Sequence, residues 1–195
     1  MRKLGIALAF VVAAALVTST PAMAQAAKKK QRQRISPHET ITATIDGDEV
    51  KLVYGRPYTK DPKTGEARKI WGKLVPFGKV WRTGADEATL LTTAKPIEIG
   101  GTSLAAGTYS LFTVPAEGDE TSKLVINKKT GQWGIPYNET AEKANELARV
   151  DLKKTTLDKK VDQFTMAIEP QTAGGGELRM MWEDTQYAIP FTVKK

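Results

Sequence analysis

From Thr40 onward, apolar side chains fall on every second position, and this alternation limits what the chain can become. Ile41, Ala43 and Ile45 alternate with threonines, Asp46-Gly47-Asp48 has turn chemistry, and Val50, Leu52 and Tyr54 then alternate again. Side chains on a strand point to opposite faces in turn, so this reads as a hairpin with one buried face. The same pattern returns in ATLLTTA from Ala88, around the Gly100-Gly101 turn, in Tyr109 to Val114, and in SKLVINKKTGQW. Four further strands are expected in RVDLKK, VDQFTMAIEP, GELRMMWED and QYAIPFTVKK, with Ala173-Gly174-Gly175-Gly176 as the turn before GELRMMWED.

Eight to ten strands joined by Gly/Pro turns predict an all-β fold: a single antiparallel β-sandwich or jelly-roll-like domain. One short helix is expected within NETAEKANELARV, where Asn138 or Thr140 can cap it. RPYTKDPKTGEARK reads as a long polar loop. IWGKLVPFGKVW is apolar but broken by Gly72, Pro76 and Gly78, so it reads as a folded-down loop.

The chain opens with Arg2 and Lys3, an apolar run from Leu4 to Val17, and Ala22-Met23-Ala24. The run falls short of the roughly 20 residues that span a bilayer, and the small residues suit a signal-peptidase site. The expected organisation is a cleaved signal peptide at 1–24, a basic disordered leader at 25–35 and a β-sandwich domain at 36–195. The mature chain then has no transmembrane anchor, and the protein is exported, to the periplasm or the medium. With no cysteine at all, an exported domain must rely on its packed core rather than on disulfides.

The formal charge of +7 comes from 29 basic against 22 acidic residues. Two of the basic residues, Arg2 and Lys3, belong to the signal, and five more, Lys28, Lys29, Lys30, Arg32 and Arg34, belong to the leader. The folded body is therefore neutral, 22 against 22. Nucleic-acid binding needs basic residues clustered on the domain itself, so no nucleic-acid partner is expected.

Several unusual strings occur in order: SPHET, LVYGRP, ARKIWGKLVPFGKVWRTGADEAT, GGTSLAAGTYSLFTVP, INKKTGQWG and WEDTQYAIPFTV. In these strings, over nearly all of Ser36 to Val193, the chain resembles an exported bacterial family catalogued as domain of unknown function 2911. The resemblance implies an exported β-rich domain and carries no catalytic role. The loop TKDPKTGEARKIWG is longer than the compact form associated with that family.

Most enzyme templates are missing. No nucleophile elbow, phosphate-binding loop or dinucleotide fingerprint occurs, so no cofactor is expected. His38 is the only histidine and there is no thiolate, so no metal site is expected either. His38 reads as an ordinary residue at the start of a strand. Asp86, Glu87, Glu183 and Asp184 are candidates for paired-carboxylate hydrolysis of carbohydrate or another envelope polymer. Neighbours on an extended strand face opposite ways, however, which favours these acids as partners of Arg82, Arg179 or lysine.

Tyr54, Arg56, Trp81, Arg82, Asp86 and Glu87 are the ligand-binding candidates, because aromatic rings and arginines lie there in or beside Gly/Pro-broken segments. Within VWRTGADEAT, Arg82 is expected to be held by the side chain of Asp86 or Glu87 across Thr83-Gly84, with Trp81 packed beneath it. Trp182 alternates with Leu178 and Met180 and reads as core. The expected function is a non-catalytic envelope domain that binds an unknown small molecule, glycan or envelope partner; the alternative is the paired-carboxylate hydrolase.

Overall fold

A computed structural model describes residues 34–118 and 120–194. The expected signal peptide, and the expected leader up to residue 33, lie outside the described residues. Among the described residues, ten strands form two antiparallel sheets. β1 (His38–Ile45) and β2 (Asp48–Gly55) make the expected hairpin about Asp46-Gly47. β3 (Thr89–Thr93), β6 (Gly107–Val114), β7 (Lys123–Asn127) and β8 (Glu146–Asp151) complete a six-stranded sheet in the order β1-β2-β3-β6-β7-β8. β4 (Ile97–Ile99), β5 (Thr102–Leu104), β9 (Lys153–Pro170) and β10 (Gly176–Val193) form the second sheet, in the order β5-β4-β10-β9. The protein is an all-β sandwich.

The alternation seen in the sequence becomes the core. Val50, Leu52 and Tyr54 of β2 point inward with Leu91, Leu111 and Ile126 of the same sheet. They meet Phe164, Met166, Leu178, Met180 and Trp182 of β9 and β10. Burial of this apolar surface is the dominant favourable contribution to folding in a chain without disulfides.

Three elements differ from expectation, the first being RVDLKK, which is divided at Leu152 between β8 and β9 rather than forming one strand. GELRMMWED and QYAIPFTV belong to one strand, β10, rather than two. Leu178, Met180 and Trp182 are buried at even positions, and Tyr187, Ile189 and Phe191 at odd ones. The pairing with β9 is irregular on either side of Glu183, which itself has φ 51°. The left-handed backbone at Glu183 turns the inward face from even to odd positions while the extra residues of the irregular pairing fall on β9, and in sequence the broken alternation looks like a strand ending.

The helix α1 (Glu139–Lys143) is capped by the Asn138 side chain, which accepts from Ala141 N at 2.9 Å. It stops after five residues, and Glu146 to Val150, the end of the expected helical segment, pairs with β7 instead as part of β8. A helix this short gains few hydrogen bonds against its nucleation cost, whereas β7 offers a complete ladder.

Candidate functional site

One end of the sandwich is covered by the loop from Arg56 to Ala88, and the site is built where that loop meets β6, β9 and β10. Trp81 forms a β-bridge to Thr113 of β6, with Trp81 N donating to Thr113 O at 2.8 Å and the reverse bond at 2.7 Å. Trp81 points inward. Its ring stacks on Trp182 with centroids 5.9 Å apart and an interplanar angle of 19°, and meets Phe164 edge-on at 5.1 Å. Its indole N–H donates to Gly84 O at 3.0 Å.

The next residue faces the other way, as extended backbone requires. Arg82 lies with its guanidinium 5.6 Å from the centre of the Trp133 ring. Arg82 Nη1 donates to the backbone oxygens of Asp86 at 2.7 Å and Trp133 at 3.2 Å. The expected clasp across Thr83-Gly84 is therefore present in altered form. Arg82 holds the Asp86 carbonyl rather than a carboxylate, and Trp81 packs into the core rather than beneath the guanidinium.

The carboxylates of Asp86 and Glu87 turn instead toward the start of the described chain. Asp86, buried at 5% exposure, accepts from Ile35 N at 3.4 Å, Ser36 N at 3.3 Å and His38 Nε2 at 3.2 Å. Glu87 binds Arg34 Nε at 3.0 Å through both oxygens and lies 3.6 Å from His38 Nε2. Adjacent acids thus converge on one histidine. The alternation rule fails here because Asp86 has φ 65°, so this is a turn and not a strand. Arg34 and Ile35, assigned in sequence to the leader, are the residues gripped.

Tyr54 and Arg56 form a separate cluster across β1, β2 and β9. Tyr54 OH donates to Glu39 Oε2 at 2.7 Å and accepts from Met166 N at 3.0 Å. Arg56 pairs with Glu39 at 3.1 Å and donates to Phe164 O at 3.1 Å and Thr165 Oγ1 at 2.8 Å. Burial, and then the hydrogen bond to the Glu39 carboxylate, push the Tyr54 phenol up from 10.0 to about 12. A raised folded value favours the protonated form, so this stabilisation is whole below pH 10 and is lost as pH rises through 12. Tyr54→Phe is expected to flatten the alkaline fall in melting temperature over that window. Tyr137 and Tyr187, shifted in the same direction, leave a residual fall. An unchanged pH profile would contradict the assignment.

Beside the Trp81–Trp182 stack lies a cavity of about 370 Å³. Trp81, Trp182 and Val75 floor it, and Arg68, Arg82 and Asp86 stand in its walls. Of the six sequence candidates it gathers Trp81, Arg82 and Asp86; Tyr54, Arg56 and Glu87 are not among its lining residues. Sequence reasoning did not reach Arg68, Leu74 or Ile135, though all three lie in the Gly/Pro-broken loops that signalled the others. It placed Trp182 in the core, where the residue is 1% exposed, but not against a cavity. Among the described residues, no group of three or more His, Asp or Glu is placed to hold a metal ion, and no helix is long and apolar enough to cross a membrane.

A family model described as a protein of unknown function, DUF2911, matches residues 36–191. The chain belongs to the DUF2911 family. No curated protein and no solved structure matches it. The DUF2911 match runs from the Asp86-bound Ser36 through Phe191 of β10, so it takes in both sheets and every wall of the cavity apart from Ile35.

Proposed function

We propose that this DUF2911 protein is an exported envelope domain that binds a small molecule in the cavity beside Trp81 and Trp182. The observation that carries this reading is the cavity itself. At about 370 Å³ it falls in the range of about 300–1,000 Å³ common for ligand sites, and it combines an aromatic floor with a few convergent polar groups. It also lies under loops on a rigid two-sheet scaffold, where binding residues concentrate. The hydrolase alternative has less support, because Asp86 and Glu87 are engaged by His38, Arg34 and backbone N–H groups rather than set across a cleft. Export rests on the basic, apolar and small-residue order of the first 24 residues.

A thermal-shift screen of the chain from Gln25 with saccharides, short peptides and small organic acids tests the binding role. A compound at one hundred times its Kd is expected to raise the melting temperature by about 5–10 °C. A panel that leaves the melting temperature unchanged throughout would contradict the reading. Protein recovered from the periplasm or medium is expected to begin at Gln25; a start at Met1 would contradict export by cleavage.

A further inference from the structure

The hydrogen-bonding inventory of the cavity is lopsided. Its acidic side chains already have donors. The Asp86 oxygens accept from Ile35 N, Ser36 N and His38 Nε2. Asp61 Oδ1 accepts from Lys63 N at 2.8 Å and Thr64 N at 3.3 Å. These backbone donors, the Lys63 N–H first, together with the nearby Arg68 and Lys63 charges, hold the Asp61 carboxyl below its ordinary range. Wall carbonyls are taken as well: Gly84 O by the Trp81 indole, Asp86 O by Arg82, and Tyr58 O by Arg68 Nη2.

Donors are left over. Arg68 Nε is buried without a hydrogen-bond partner, and so is the indole N–H of Trp182. Lys63 lines the same cavity with an exposed side chain. Buried donors without acceptors are uncommon in folded proteins and call for a physical explanation.

We infer that the cavity takes its ligand through a carboxylate, held by Arg68 on the Lys63 side while the body of the ligand lies over the Trp81–Trp182 floor. This rests on the binding role proposed above. A carboxylate brings acceptors to a site with surplus donors. An arginine meets it with charge-assisted hydrogen bonds, which are roughly twice as strong as neutral ones. An aromatic floor suits the apolar face of either an aryl group or a sugar ring, so the shared chemistry has two sources, an aryl acid or a uronic acid.

Two matched pairs separate them: phenylacetate with phenylacetamide, and glucuronate with methyl glucoside. Each is titrated into the chain from Gln25 while the tryptophan indole N–H resonances are followed. The acid of one pair is expected to bind at least about tenfold tighter than its neutral partner, shifting the Trp81 and Trp182 signals. Which pair responds identifies the source. Arg68→Gln is expected to erase the preference for the acid, and Arg68→Lys to keep part of it.

Neutral partners binding as tightly as the acids would overturn the carboxylate assignment and leave the cavity as a binding site. Indole signals unmoved by all four probes at millimolar concentration would overturn both. Because Arg68 also holds the Tyr58 carbonyl, the melting temperature of each variant is measured alongside. Should Arg68→Gln fail to fold, Lys63→Gln at the exposed rim takes its place, with a weakened acid preference expected and an undiminished one overturning the assignment.

Discussion

Replacing Trp182 by alanine is expected to destabilise the domain by about 3–5 kcal/mol, the cost usual for deleting a buried aromatic side chain. Trp182 is 1% exposed and touches three other rings: Trp81 in a stack, and Trp71 and Phe164 edge-on at 6.2 and 5.9 Å. The lost volume opens toward the neighbouring cavity, so water can enter, which favours the lower half of that range. Phenylalanine variants separate packing from hydrogen bonding. The Trp182 indole N–H has no hydrogen-bond partner, so Trp182→Phe loses packing alone and is expected to cost about 1–2 kcal/mol. Trp81→Phe also strips Gly84 O of its donor, which adds about 1 kcal/mol or more. Urea unfolding of the three variants checks the order. A Trp182→Ala variant within about 1 kcal/mol of the parent would mean that the ring cluster is not the keystone of this end of the sandwich.

Gly55→Ala is expected to cost about 3 kcal/mol, at the upper end for overpacking, and to weaken binding in the cavity as well. A Cβ at position 55 would lie 2.2 Å from Ala85 O and 2.9 Å from Ala85 C. The obstacle is backbone, which cannot rotate aside as a side chain can. A Cβ at Gly84, in turn, would lie 2.8 Å from Gly55 O. The end of β2 and the turn after Trp81 thus approach back to back, joined by Ala85 N donating to Gly55 O at 3.3 Å. Pushing them apart moves Ala85 and Asp86, both of which line the cavity. Gly65→Ala serves as the control. Its Cβ would meet nothing within 4 Å, and only its φ of +75° opposes the change, so about 1 kcal/mol is expected and no loss of binding. Equal effects at the two positions would show that conformational freedom, not close approach, explains Gly55.

Local signals carried the sandwich and failed where contacts are distant. The β1–β2 hairpin was legible because its alternation and its turn sit within one stretch of chain. β10 read as two strands because the irregularity at Glu183 moves the buried face from even to odd positions. The start of β8, Glu146 to Ala148, read as helix because the edge of β7, which recruits it, lies outside that stretch of chain. At the site, Trp81, Arg82 and Asp86 stood out as residue types in a broken segment. Their partners did not: His38 is 48 residues from Asp86, and Trp133 is 51 from Arg82. The grip of Arg82 on a carbonyl has no sequence signature, since every residue carries one. Arg68 and Ile135 join the cavity only through the folding of two separate loops over one end of the sheets.

The most direct measurement closes the cavity without disturbing the core. Ile135 lines the cavity and is 37% exposed, so Ile135→Trp is expected to leave stability within about 0.5 kcal/mol while placing a large ring at the opening. Titrations of phenylacetate and glucuronate into the parent and the variant, followed by calorimetry, give the comparison. A cavity that binds small molecules predicts that the affinity found in the parent is lost in Ile135→Trp with the melting temperature unchanged. Equal affinity in the two proteins would place the binding elsewhere and contradict the assignment of this cavity as the functional site.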